Sequence, residues 1–119
     1  MRLLVCGDRN WKDYSAILNR IENLDPEIII EGEARGADSM ARKVAEELDI
    51  AILKFPAQWD KYGKAAGPIR NQQMLIEGKP DYVLAFHDDI KHSKGTKDMV
   101  NRARKTSIPT EVWTHSGIV

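Results

Sequence analysis

The stretch Leu3-Leu4-Val5-Cys6-Gly7 is a continuous apolar run that ends at a glycine. Apolar runs without alternation are typical of strands that are covered on both faces, as in a parallel sheet. Runs of the same kind recur further along the chain, at 27–31, 50–55, 81–86 and 108–113. The sequence therefore predicts five strands.

Segments with helical spacing of apolar residues separate these strands. The first predicts a helix over Tyr14–Leu24, with Asp13 placed to cap it. Further helices are predicted over 39–48, over about 69–77, and from Gly95-Thr96 onward.

Strands that alternate with helices predict an α/β fold. We expect a Rossmann-like three-layer domain over residues 1–119, with a five-stranded parallel sheet in the order 3-2-1-4-5. Residues 57–68 are expected to form an irregular loop, with Pro68 in the first turn of the next helix, and the last six residues are expected to form a tail.

Composition limits the classes of partner. The 18 Lys and Arg residues balance 18 Asp and Glu residues, so the basic field that duplex nucleic acid requires is not indicated, although a local basic patch is compatible with zero net charge. The single cysteine, Cys6, fits a small core hydrophobe and a reducing compartment. The first apolar run is too short for a signal peptide, and no run approaches the about 18 residues of a membrane span. We therefore expect a cytoplasmic protein with no membrane partner.

In a sheet of this kind, ligands bind outside the carboxyl ends of the strands, near the point where the strand order reverses. Loops that combine glycine with polar side chains follow the first, second and fourth predicted strands, and they contain Gly7-Asp8-Arg9-Asn10-Trp11, Gly32-Glu33-Ala34-Arg35-Gly36-Ala37-Asp38 and Gly95-Thr96. Glycine lets the backbone approach a ligand, and a helix that begins there presents free N–H groups to a phosphate. For any single loop, a simpler explanation is available. The glycine is present because the turn requires it, and the threonine only caps its helix. Their convergence on one sheet edge favours a binding site.

The segment Gly63-Lys64-Ala65-Ala66-Gly67-Pro68-Ile69-Arg70-Asn71 is the most unusual in the chain. Arg70 offers a rigid fork that matches phosphate or carboxylate, and Asn71 offers both donor and acceptor groups. The alternative is a solvated arginine on a surface helix. Trp11 and Trp59 lie in loops that follow strands, where each could stack on a base or close the edge of the core.

Metal and cofactor motifs are not found. His87, His92 and His115 have no second ligand at helical spacing, so no metal site is predicted. Neither the G-x-G-x-x-G dinucleotide fingerprint nor a Walker A sequence is present, and we expect no resident cofactor.

Four motifs together carry a family resemblance. They are G-x-R-x-W-x-D from Gly7, G-x-A-R-G-A-D from Gly32, A-x-W from Ala57 with Y-G-K-A-A-G-P-I-R-N from Tyr62, and the late Gly95-Thr96. This combination resembles the YspA-like branch of the SLOG superfamily over nearly the whole chain. The resemblance implies a Rossmann-like fold and a nucleotide-related ligand. Relatives of this branch include the LOG phosphoribohydrolases, which release a base from a nucleoside monophosphate, sensors of nucleotide-derived signals, and DNA-processing proteins.

The LOG motifs match this chain only in part. Arg70 matches the arginine that LOG enzymes carry before their fourth strand, and Gly95-Thr96 match the Gly-Thr of their P-G-G-x-G-T-x-x-E motif. The glutamate of that motif falls on Met99, which cannot serve as an acid or a base. Asp98 lies about 100° away around the helix. Asp8 and Asp38 are other carboxylates expected near the site, and the resemblance leaves Arg70 and Asp38 as the catalytic candidates.

Three functions are compatible with the sequence. The leading one is binding of a nucleotide or nucleotide-derived small molecule, such as AMP, ADP-ribose or an NAD-related compound, as a sensor or sequestering module. The others are N-glycosidic hydrolysis of a nucleotide, and interaction with nucleic acid or protein. A homo-oligomer with Trp113 at its interface is compatible with each. The candidate ligand-binding residues are Gly7, Asp8, Arg9, Trp11, Gly32, Arg35, Gly36, Ala37, Asp38, Trp59, Arg70, Asn71, Gly95 and Thr96.

Overall fold

Strand β1 (Arg2–Gly7) lies inside a six-stranded sheet in the computed structural model, which describes residues 1–119. The other strands are β2 (Ile28–Glu31), β3 (Ala51–Lys54), β4 (Tyr82–Phe86), β5 (Thr110–Thr114) and β6 (Gly117–Ile118). Their order in the sheet is β3-β2-β1-β4-β5-β6. The first five strands are parallel, as the sequence predicts.

The expectation of five strands and a terminal tail is wrong at the end of the chain. β6 pairs antiparallel with β5, with Trp113 opposite Ile118 and Thr114 opposite Gly117. The turn between them needs Gly117, whose φ of 125° suits residues without a side chain. A strand of two residues has no periodicity of its own, and it exists here because β5 offers it a free edge.

The helices are α1 (Tyr14–Leu24), α2 (Ala37–Glu47), α3 (Trp59–Tyr62), α4 (Ala66–Gly78) and α5 (Gly95–Lys105). The bounds of α1 and its cap are confirmed, since the Asp13 carboxylate accepts a hydrogen bond from the Ala16 amide at 3.1 Å. No helix is both long enough and apolar enough to cross a membrane.

The loop expected over 57–68 is largely helical. It contains α3, a 3-10 turn over Gly63–Ala65, and the start of α4. Helix α4 begins two residues before Pro68, which is tolerated there because amides in a first turn have no helical partner.

Helices cover both faces of the sheet, which makes three layers. Leu3 and Val5 of β1 face a core built with α1 and α2, whereas Leu4 and Cys6 face a second core built with α4 and α5. Leu3, Leu4 and Val5 are fully buried, so burial on both faces explains why β1 has no polar alternation. With both faces covered, the carboxyl-end edge of the sheet is left open for a ligand.

Candidate functional site

A pocket of about 340 Å³ opens at the carboxyl ends of β1 and β4, where the strand order reverses. This volume lies within the range of about 300–1,000 Å³ typical of small-molecule sites. Most of its lining is polar or charged. The lining residues are Cys6, Gly7, Asp8, Arg9, Ala34, Asp38, Arg70, Asn71, Met74, His87, Ser93, Lys94, Gly95 and Thr96.

Helix α4 projects Arg70 towards the loop that follows β2. Its Nη1 donates to the Gly32 carbonyl at 2.6 Å, and its Nε donates to the Asn71 side-chain oxygen at 3.1 Å. A side chain at position 32 would displace this guanidinium from its present position. Two of the five N–H donors of Arg70 are used in these contacts, so others are available to a ligand.

Asp38 lies in the first turn of α2 and is only 5% exposed. Its Oδ2 accepts hydrogen bonds from the amides of Gly32 (3.1 Å) and Ala34 (3.2 Å). Burial raises the pKa of Asp38 to about 6, although these amides and the charge of Arg70 partly offset the rise. The pocket therefore contains a carboxyl group that changes its charge close to neutral pH.

The start of α5 forms another wall of the pocket. The Lys97 amide donates to Ser93 Oγ at 2.9 Å and the Asp98 amide donates to the Lys94 carbonyl, but the amides of Gly95 and Thr96 have no partner in the chain. The Thr96 hydroxyl is also unpaired, and the residue is 7% exposed. These free donors at a helix N-terminus attract an anion.

Asn71 fixes this wall to α4. The residue is 3% exposed, and its Nδ2 donates to the Gly95 carbonyl (3.2 Å) and to the Asp98 carboxylate (3.0 Å). Asp98 also accepts from Arg102 and does not line the pocket. Met99 is fully buried in the core. No carboxylate of α5 therefore lines the pocket.

His87 is a pocket residue that the sequence reasoning missed. It follows β4 directly, its side chain is 16% exposed, and its Nε2 lies 4.0 Å from Asp8 Oδ2. The sequence feature that could have identified it is its position directly after a central strand. Cys6, at the base of the pocket, has the pKa of its thiol raised by burial and then by Asp38, so the thiol stays protonated.

Trp11 does not line the pocket. It is 2% exposed, stacks on His115 with ring centroids 3.8 Å apart, and contacts Phe86 with centroids 5.4 Å apart. Of the two alternatives drawn from the sequence, the structure supports closure of the core edge. Trp59 is 57% exposed and lines a separate shallow depression on α3.

The remaining predicted residues support the pocket or lie outside it. Gly36 has a φ of 72° and packs its backbone against Asp8 and Arg9, where a side chain would collide. The Ala37 amide donates to the Asp8 carbonyl at 3.1 Å, and Arg35 is exposed outside the pocket. Pocket residues that the sequence did predict are Gly7, Asp8, Arg9, Asp38, Arg70, Asn71, Gly95 and Thr96.

Comparisons with known proteins fit this architecture. A family model described as the YspA, cpYpsA-related SLOG family matches residues 1–62. The Gene 61 protein of Mycobacterium phage D29 is 32% identical over 118 residues, covering 91% of this chain and 92% of that protein.

Among solved structures, the X-ray structure of DNA processing protein A (DprA) from Streptococcus pneumoniae has a TM-score of 0.71 and 18% identity. The match covers 95% of this chain and 49% of that one, so the chain spans about half the length of this DprA. A likeness at this level of identity establishes a shared Rossmann-like fold.

Proposed function

Because the chain belongs to the YspA, cpYpsA-related SLOG family, we propose that its pocket binds a nucleotide or nucleotide-derived ligand such as AMP, ADP-ribose or an NAD-related compound. The observation that carries this proposal is the pair of unpartnered amides at Gly95 and Thr96, which lie in one pocket with Arg70. Together they supply oriented donors, a helix N-terminus and a guanidinium for a phosphate group.

The charges around the pocket support an anionic ligand. Arg9 and Lys94 are exposed lining residues, and Arg70 lies deeper beside Gly32. The carboxylates of Asp8 and Asp38 lie in the same pocket and can accept hydrogen bonds from hydroxyl groups. A ligand that combines a phosphate with a sugar matches both kinds of group.

The absence of a pocket carboxylate on α5 favours binding over cleavage. Met99 is buried and Asp98 is held by Asn71 and Arg102, so neither can act on a bound nucleotide. We therefore assign the site to a sensor or a sequestering module.

Titration calorimetry with AMP, ADP-ribose and NAD tests the proposal. We expect at least one to bind below millimolar concentration, and Arg70→Ala to weaken it by about ten- to a hundredfold through the loss of charge-assisted hydrogen bonds. Arg104→Ala is the matched control, because Arg104 is exposed and does not line the pocket. The proposal fails if wild-type protein binds none of the three, or if both variants behave alike.

N-glycosidic hydrolysis is an alternative that Asp38 supports. Its pKa of about 6 suits a general acid or base near neutral pH, and it shares the pocket with Arg70. This alternative predicts release of free base from a nucleotide, with the activity lost in Asp38→Asn. No base release from a nucleotide panel at high protein concentration would exclude it.

Interaction with nucleic acid is an alternative that α5 supports. Lys94, Lys97, Arg104 and Lys105 lie on or beside the exposed part of this helix, whereas Arg102 is paired with Asp98 at 2.8 Å. This local cluster exists although the whole chain has no net charge. Anisotropy of a labelled single-stranded oligonucleotide should then fall with salt, and Arg104→Ala, but not Arg70→Ala, should reduce the salt slope.

A further inference from the structure

His87 and Asp8 face each other in the pocket without touching. The Asp89 amide donates to His87 Nδ1 at 3.0 Å. Since a backbone amide is always a donor, Nδ1 must be the unprotonated nitrogen and Nε2 carries the proton. His87 therefore presents an N–H donor towards Asp8 Oδ2, which lies 4.0 Å away.

The Asp8 carboxylate has one free oxygen. Its Oδ1 accepts from the Asn10 amide at 2.9 Å, whereas Oδ2 accepts no hydrogen bond in the chain. The backbone fixes this position, because the Asp8 amide donates to the Phe86 carbonyl at 2.8 Å and the Asp8 carbonyl accepts from the Ala37 amide at 3.1 Å. The His87 amide donates in turn to the Trp113 carbonyl at 2.9 Å. Donor and acceptor are thus held at a set separation.

A separation of 4.0 Å is too long for a direct hydrogen bond. It is the distance at which one oxygen atom can lie about 2.8 Å from both groups, with an angle of about 90° between the two directions. That oxygen must accept from His87 and donate to Asp8. A hydroxyl group does both, whereas an ionised phosphate or carboxylate oxygen has no proton to donate and is repelled by Asp8.

We propose that His87 and Asp8 form a hydroxyl-binding pair that selects ligands bearing ribose over ligands bearing deoxyribose. This inference rests on the proposed function and assigns the sugar of the ligand to one part of the pocket. Selection follows because a ligand without the hydroxyl makes neither hydrogen bond and leaves the pair unpaired or bridged by water.

The test compares AMP, 2′-deoxy-AMP and 3′-deoxy-AMP by titration calorimetry on wild-type protein. We expect one of the deoxy analogues to bind at least about tenfold more weakly than AMP. Asp8→Asn places an N–H donor where Oδ2 accepts, and His87→Ala removes the donor. In both variants the affinity ratio between AMP and that analogue should fall towards one.

The affinity ratio separates this role from a structural one, because general damage to the pocket weakens all three ligands alike. His87→Gln, whose amide nitrogen can replace Nε2 as a donor, should restore part of the ratio. His92→Ala is the matched control, since His92 is 76% exposed and lies outside the pocket; its ratio should equal that of wild-type protein.

Two results would overturn the inference, and they differ in what they say about the proposed function. If AMP and both deoxy analogues bind within twofold of one another, the pair does not recognise a hydroxyl, while the proposed function stands. If AMP does not bind at all, the pair holds no ribonucleotide hydroxyl, and the proposed function then depends on the titrations with ADP-ribose and NAD.

Discussion

At the scale of single residues, Asp38 makes the charge of the pocket depend on pH. Burial raises the pKa of its carboxyl group to about 6, so the group is largely neutral below that pH and charged above it. A carboxylate in the pocket opposes an anionic ligand. Protonation of Asp38 should therefore favour phosphate binding.

We predict that the affinity for ADP-ribose rises by about three- to tenfold between about pH 8 and about pH 5. ADP-ribose suits the measurement because its pyrophosphate diester does not titrate near neutral pH. Calorimetry at several pH values gives the profile, and Asp38→Asn should flatten it while binding as tightly as the protonated wild type. An unchanged profile in Asp38→Asn would assign the pH dependence to another group.

The same scale shows how far the sequence could predict the site. Arg70 could be predicted as a candidate because it follows two glycines near the start of a helix, although the same pattern also fits a solvated surface arginine. His87 could not, because its importance comes from a tautomer fixed by the Asp89 amide and from its distance to Asp8, and both exist only in the folded chain. Trp11 and Trp59 had identical signals in the sequence, and burial alone distinguishes the two.

At the scale of elements, a polar network joins α1 to the sheet. Arg20 of α1 donates to both oxygens of Glu111 on β5, at 2.8 and 2.5 Å, and the hydroxyl of Tyr82 and the indole of Trp113 donate to the same carboxylate. The hydrogen bond from Arg20, helped by those from Tyr82 and Trp113, lowers the pKa of Glu111 to about 2.

A carboxyl group whose pKa is lower in the folded than in the unfolded chain stabilises the fold above its unfolded pKa. The contribution of Glu111 should thus be complete above about pH 5 and disappear as the pH falls to about 2. We predict that Glu111→Gln lowers the free energy of unfolding by about 1–3 kcal/mol at neutral pH and by much less near pH 2.

Urea denaturation of both proteins across this range measures the difference. Glu77→Gln is a suitable control, because Glu77 is exposed and makes no ion pair. An equal loss at every pH would show that Glu111 acts through packing and not through its charge.

The bounds of helices and strands could be predicted where the local sequence contains a cap or regular apolar spacing. They were missed where contacts with distant residues determine whether the element forms. Helix α1 has an aspartate cap and regular apolar spacing, and its bounds are as predicted. Helix α3 has four residues and no buried side chain, so no periodicity could identify it. Strand β6 depends wholly on β5.

At the scale of the whole molecule, a residue near the beginning of the sequence contacts one near its end. His115 stacks on Trp11, and both its backbone amide and its ring Nδ1 contact the Asp88 carboxylate at 2.7 Å. The stacking on Trp11 holds the turn between β5 and β6 against the loop that follows β1, and the contacts with Asp88 hold it against the loop that follows β4. The parallel order of the sheet could be predicted from its apolar runs. The contacts of His115 could not, because they join residues that are distant in sequence.

We predict that His115→Ala lowers the free energy of unfolding by about 1 kcal/mol, which is the usual value of a stacked aromatic pair. It should also expose Trp11, with a red shift and easier quenching of tryptophan fluorescence. His92→Ala, which removes an exposed histidine paired with Asp89, is the control. Unchanged fluorescence together with unchanged stability would contradict a closing role for His115.

The position of β1 in the sheet has a consequence for how the chain folds during synthesis. β1 pairs with β2, which follows it closely, and with β4, which the ribosome completes much later. Until β4 arrives, one hydrogen-bonding edge of β1 lacks its partner, and the core around Leu4 and Cys6 is completed only when α5 follows. Long-range parallel pairing is slow, and unpaired edges favour aggregation. The strand whose end lines the pocket therefore keeps an unpaired edge through much of synthesis.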